Sequence, residues 1–152
     1  MRYVTGMADV TRISVKEASD RLAQGWTYVD VRTVEEFEQG HPPGAFNVPI
    51  ALSAPGGMAP NPDFGRAMAA AFPKDARIVV GCKTGGRSLR AAGELVAAGF
   101  TSVVDMRPGW EGARNPFGQV TEAGWSREGL PVEGGQPEGR SWAAVRAKAD
   151  AK

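Results

Sequence analysis

The run GCKTGGRS, residues 81–88, gathers the residue types that cysteine nucleophilic chemistry within an anion cradle needs. Cys82 is the only cysteine of the chain and its one obvious nucleophile. A compact turn through Lys83, Thr84, Gly85 and Gly86 into a helix beginning near Arg87 and Ser88 would aim successive backbone N–H groups at the thiol. Such a cradle stabilises a thiolate and an attached anionic persulfide. Lys83 and Arg87 add positive charge, Arg87 as a multidonor fork for an oxyanion, and Ser88 offers a hydroxyl donor or a helix cap. A cysteine after an apolar strand is, taken alone, ordinary core filler. The paired glycines and flanking cations argue for chemistry instead. The run lacks the terminal Gly-Lys-Ser/Thr of a nucleotide-binding Walker loop.

The rest of the composition narrows the options. One Cys and one His, in 152 residues, exclude an intramolecular disulfide, polyhistidine ligation and a cysteine zinc cluster within one chain. No acidic pair stands at metal-ligand spacing, so no metal site is expected. Eighteen basic against 17 acidic residues leave a formal charge of +1, with no global drive toward nucleic acid or anionic membrane. The N-terminal MRYVTGMADVTRIS shows no signal-like progression and no apolar stretch reaches membrane-spanning length, which points to a cytoplasmic protein, or an exported one if a signal has been removed.

The elements that must position Cys82 read as alternating strands and helices. SVKEASDRLAQG has helical spacing at Val15, Ala18 and Leu22, a Ser14/Glu17 capping box, and Gly25 as its stop. Trp26 to Val31 forms an apolar strand whose carboxyl end presents Asp30 and Arg32. VEEFEQG makes a short helix burying Val34 and Phe37, and GHPPGAFNVPI a Pro/Gly loop with a brief strand. Residues 53–63 read as a surface loop, FGRAMAAAF as a helix, and DARIVVGC as the strand that delivers Cys82. RSLRAAGELVAAGF follows as a helix with Leu89, Ala92 and Val96 on its packed face, then TSVVDM as a strand. Crossovers of this kind require parallel pairing, so the expected class is α/β with a central, mainly parallel sheet flanked by helices. We expect one domain over 1–152. It carries a Gly/Pro-rich aromatic excursion over 107–140, with Trp110, Phe117 and Trp125 packed inside, and a short helix or frayed tail over 141–152.

Three segments together, DVRTVEEFEQGHPPGAFNVP, GCKTGGRS and the later GLPVE, resemble the rhodanese family of sulfurtransferases. The resemblance spans Ile13 to Met106 and continues more weakly through Val132. It implies a rhodanese-like domain in which Cys82 takes sulfane sulfur and the loop from Cys82 through Arg87 cradles the persulfide. It also implies supporting roles for Asp30, Arg32, Glu36 and His41, no cofactor, and packing for Phe37. Thiosulfate or another sulfane-sulfur donor would load Cys82, and cyanide, a thiol or a protein would accept the sulfur. Phosphatase-like relatives of the fold carry a longer loop, so a cysteine phosphatase or arsenate reductase ranks below sulfur transfer. A noncatalytic sulfur-relay or protein-interaction module is the principal alternative. Pro42 and RPGWEGA depart from the family pattern, the latter where substrate selection could change.

Overall fold

The computed structural model describes residues 10–151; the opening segment MRYVTGMAD, which carried part of the argument against a signal, and Lys152 lie outside them. Five strands form one sheet in the order β1 (Thr11–Ile13), β7 (Ser102–Met106), β6 (Arg77–Gly81), β2 (Thr27–Asp30), β3 (Phe46–Asn47), every pairing parallel. The central strands are continuous apolar runs because the sheet is covered on both faces. Alternate side chains divide between two cores. Val29, Ile78, Val80 and Val103 face one side, where Phe64, Met68, Leu95, Trp142 and Val145 cover them. Tyr28, Val79 and Val104 face the other, against Val15, Ala18, Phe37 and Trp125. The covering helices are α1 (Val15–Ala23), α2 (Val34–Gln39), α3 (Phe64–Ala71), α4 (Gly86–Ala97) and α5 (Trp142–Asp150). This is the α/β class expected from the sequence. None of these helices is long and apolar enough to cross a membrane.

The Ser14/Glu17 capping box of α1 forms, and a second one, Thr33/Glu36, opens α2. Other elements differ from expectation. β1 was not foreseen, because three residues with only Ile13 buried give no alternation to read. In α4 the buried residues are Ser88, Ala91, Ala92, Gly93 and Leu95, while Leu89 and Val96 are only half-buried. Small side chains on the inner face let the helix sit close to the sheet, and that turns the larger ones toward its margin. The stretch expected to be a plain surface loop contains an antiparallel hairpin, β4 (Ala51–Ala54) with β5 (Gly57–Pro60), turned at Gly56 with φ +81°.

The excursion after Met106 is a second hairpin, β8 (Gly112–Arg114) with β9 (Val120–Ala123), followed by a 3-10 turn over Trp125–Arg127. Trp125 packs inside as expected, edge-on to Tyr28 with centroids 6.4 Å apart, and its indole N–H donates to the Pro131 carbonyl at 2.9 Å. Trp110 is half-buried. Phe117 corrects the expectation of internal packing: it is 87% exposed at the hairpin tip. Asn115 explains this, since its Oδ1 accepts from the Phe117 and Gln119 amides and locks a turn that throws the ring outward. Val120 and Val132 are likewise exposed.

The chain then returns to its N-terminal half. His41 and Glu133 exchange backbone hydrogen bonds at 2.9 and 2.8 Å, and Arg140 grips the Glu133 carboxylate at 2.9 and 3.0 Å. Arg140 also donates to the Ala45 carbonyl, and the Asn47 amide donates to the Arg140 carbonyl. The hydrogen bonds from Arg140, against a smaller opposing effect of burial and with help from His41, hold the Glu133 carboxyl at about 2. Since that lies below the ordinary 4.5, the pair stabilises the fold at neutral pH and its contribution is lost as pH falls from about 4.5 to about 2. Glu133→Gln should therefore lower unfolding stability at pH 7 by roughly 1–2 kcal/mol. In urea titrations at several pH values, the gap between the two proteins should close toward the acid end; a constant gap would contradict the assignment.

Candidate active site

All five strands of the sheet run the same way, so their carboxyl ends open along one edge, the usual place for a site in a parallel sheet. Asp30 pairs with Gly81 in the β2–β6 register, which brings the DVR segment alongside the strand that ends in Cys82. Gly81 is required there because a Cβ would collide with the Tyr28 hydroxyl. Cys82 is 1% exposed. Its Sγ accepts a hydrogen bond from the Gly85 amide at 3.2 Å and lies 3.4 Å from the Ser88 hydroxyl, to which the thiol donates. Gly85 is the N-cap of α4, so the sulfur sits at the positive end of a twelve-residue helix. At φ +104°, with the Arg107 carbonyl where a Cβ would project, Gly85 admits no side chain.

The loop is pinned from outside by residues after β7. The Trp110 amide donates to the Cys82 carbonyl at 2.7 Å and the Glu111 amide to the Lys83 carbonyl at 2.9 Å. Gly109 makes this approach possible, because a Cβ there would come within 2.6 Å of the Lys83 carbonyl. From the β1 side, Arg12 donates to the Gly85 carbonyl at 3.1 Å and to Asp105 at 2.7 Å. Burial pushes the Asp105 carboxyl up, opposed by the Ser88 hydroxyl and Arg12, and its Oδ1 has no hydrogen-bond partner among the described residues. Sequence reasoning missed Arg12, Asp105 and Glu111. Arg12 and Asp105 lie far apart in the chain and meet only through the parallel β1–β7 register, for which no local motif exists.

Beneath the loop, Asp30 and Arg32 form a buried ion pair with contacts of 2.6 to 3.1 Å, and Arg32 also donates to the Gly40 carbonyl at 2.6 Å. Burial works against the charged guanidinium, but Asp30 more than offsets it and raises the Arg32 pKa. The Trp110 ring lies 5.0 Å from the same guanidinium. Asn47 donates to the Asp30 and Arg32 carbonyls, tying β3 to this shell. His41 is fully buried, stacked on Phe37 at 3.6 Å between centroids. Both ring nitrogens are occupied, Nδ1 by the Phe37 carbonyl at 2.7 Å and Nε2 by Glu133 at 3.0 Å. It braces the tail against α2 and is not hydrogen-bonded to Cys82.

The cations expected to hold an anionic donor are both paired. Arg87 makes a two-pronged contact with Glu36 at 2.7 and 3.0 Å, and Met58 of the β4–β5 hairpin packs on it. Burial pushes Glu36 up, yet the hydrogen bonds from Arg87 and the Thr33 amide outweigh it and hold the carboxyl at about 2. Lys83, half-exposed, has its Nζ 3.6 Å from Glu111. Thr84 and Gly86 are exposed on the loop and offer backbone to the site. A cavity of about 120 Å³ opens beside these residues, lined by Arg32, Glu36, Gln39, Lys83, Trp110 and Glu111. A larger one, about 420 Å³ between α1 and β9, includes no residue of the Cys82 loop. Among the described residues, no three Cys, His, Asp or Glu side chains converge as a metal site.

Residues 14–115 match the model of the rhodanese-like domain. The chain is 40% identical over 131 residues to thiosulfate sulfurtransferase 16, chloroplastic, of Arabidopsis thaliana, covering 84% of this chain and 99% of that protein. It is 31% identical over 132 residues to a sulfurtransferase of Allochromatium vinosum, covering 86% and 99%. Among solved structures, Rv0390 from M. tuberculosis superposes with a TM-score of 0.69 at 26% identity, over 83% of this chain and 98% of that one. Since the domain model spans more than half of the residues and two relatives align along nearly their full lengths, this chain belongs to the rhodanese-like family.

Proposed function

We propose that this protein is a sulfurtransferase that carries sulfane sulfur as a persulfide on Cys82. Membership of the family supports a role in sulfur transfer between a donor and an acceptor, and the observation that carries the finer reading is the Gly85 amide on the Cys82 sulfur at the start of α4. In the first half-reaction the Cys82 thiolate attacks the outer sulfur of thiosulfate. The S–S bond of the donor breaks, sulfite leaves with its electron pair, and Cys82 holds a terminal sulfur that bears the negative charge. In the second, cyanide, a thiol or a protein acceptor attacks that terminal sulfur and regenerates the thiolate. No cofactor enters this cycle.

The loop's geometry supports such a division of labour. Across a trans peptide the carbonyl and the following N–H point in opposite directions. With the carbonyls of Cys82 and Lys83 bound outward, the amides of Lys83 and Thr84 face away from the clamp, where negative charge on a terminal sulfur would gather them.

Cys82→Ser should abolish thiosulfate-dependent thiocyanate formation, at least 1,000-fold by order of magnitude, because the hydroxyl is a far weaker nucleophile near neutral pH. Intact mass after incubation with thiosulfate should show one added sulfur on the wild type and none on the variant; turnover that survives the substitution would overturn the proposal. Gly85→Ala should leave the circular-dichroism spectrum of the sheet and helices in place while lowering kcat by roughly 100-fold, since moving one loop amide removes a fixed donor to the sulfur. Unaltered kcat would show that the Gly85 amide plays no part in the chemistry.

A further inference from the structure

Among the described residues, each of the cations Arg32, Arg87 and Lys83 around the mouth of the Cys82 loop already has an anionic partner. Arg32 is consumed by buried Asp30, Arg87 by Glu36, and Lys83 faces Glu111 across 3.6 Å. Glu111 is held in place rather than swinging freely: its amide is bound to the Lys83 carbonyl, and Arg114 flanks its carboxylate at 3.6 Å. The formal charges of Arg32, Glu36, Lys83 and Glu111, which line the adjoining cavity, cancel. The remaining liners are Gln39 and the half-buried Trp110 ring, an uncharged wall. Among the residues that line this cavity, a compact dianion meets no unpaired cation, although Glu111 is shared between Lys83 and Arg114, and binding it strongly would require Arg87 or Lys83 to leave a carboxylate.

We infer that Glu36 and Glu111 determine donor choice, setting the site against dianionic thiosulfate and toward a persulfide carried on a thiol. The inference rests on the sulfurtransferase reading and names the donor class for it. The step balances without any further reactant: the Cys82 thiolate attacks the terminal sulfur of R–S–SH, the S–S bond of the donor breaks, R–S⁻ leaves with its electron pair, and Cys82–S–SH forms. The leaving thiolate carries one charge where sulfite would carry two, and its organic group has the Trp110 face to lie against.

Glu111 is the residue to test, because Glu36 also caps α2 through Thr33 and its loss would disturb that helix. The measurement is the ratio of kcat/KM for loading Cys82 from thiosulfate to that from the persulfide of 2-mercaptoethanol, with loading confirmed by intact mass. Freeing Lys83 by Glu111→Gln should raise this ratio about 3- to 10-fold at low ionic strength, the scale of one unscreened charge acting on a dianion near a surface. The gain should shrink toward the wild-type ratio in about 0.5 M salt, fall when Lys83→Gln is combined with the first substitution, and disappear when Arg114→Gln, which removes the other cation on Glu111, is added as well. A ratio unchanged at low salt, or a gain that persists once both Lys83 and Arg114 are replaced, overturns the inference while sulfur on Cys82 leaves the sulfurtransferase reading standing. Failure of both donors to place sulfur on Cys82 overturns that reading and the inference together.

Discussion

The amide of Trp110 on the Cys82 carbonyl, at 2.7 Å, and that of Glu111 on the Lys83 carbonyl, at 2.9 Å, decide which way the peptides of the loop face. A glycine-rich turn has many accessible conformations and gains nothing locally from choosing one. Here the choice is imposed by the segment after β7, which can approach only because Gly109 has no side chain. The same segment then supplies Trp110 over Arg32 and Glu111 beside Lys83, so orientation, electrostatics and the wall of the cavity share one origin.

The supporting shell shows why buried charge is kept in a place where apolar packing would be cheaper. The Asp30–Arg32 pair is almost wholly removed from water, and such pairs add little to stability against well-packed apolar substitutes. What it provides is direction. Arg32 reaches the Gly40 carbonyl, Asn47 reaches the Asp30 and Arg32 carbonyls, and the Pro/Gly segment before β3 is thereby fastened to the end of β2. His41 and Glu133 extend the fastening to the tail, so distant parts of the chain meet around the strand ends that hold the sulfur.

Cys82 at a strand end was legible because the apolar run before it is longer than any turn and the glycines after it forbid continuing the strand. The caps of α1 were legible for a similar reason: both partners sit within one turn. What escaped had partners far along the chain. Arg12 finds Asp105 only through a parallel register, and Arg87 finds Glu36 only once α2 and α4 have docked. The packed face of α4 was legible in part: Ala92 is buried as expected, whereas Ala91 and Gly93, too small to stand out in the sequence, share that face and leave Leu89 and Val96 only half-buried. Phe117 was misread because an Asn turn, rather than hydrophobicity, fixes where its ring goes.

The outward clamp on the loop also bears on the order in which the molecule comes into being. Trp110 and Glu111 follow Cys82 in the chain, and the Arg140 that grips Glu133 comes later still. A polypeptide synthesised from its N-terminus therefore presents the thiol before the segment that orients its amides exists. Until the ribosome has released that segment, Cys82 is a cysteine like any other, and the environment that distinguishes it arrives with the residues that follow β7.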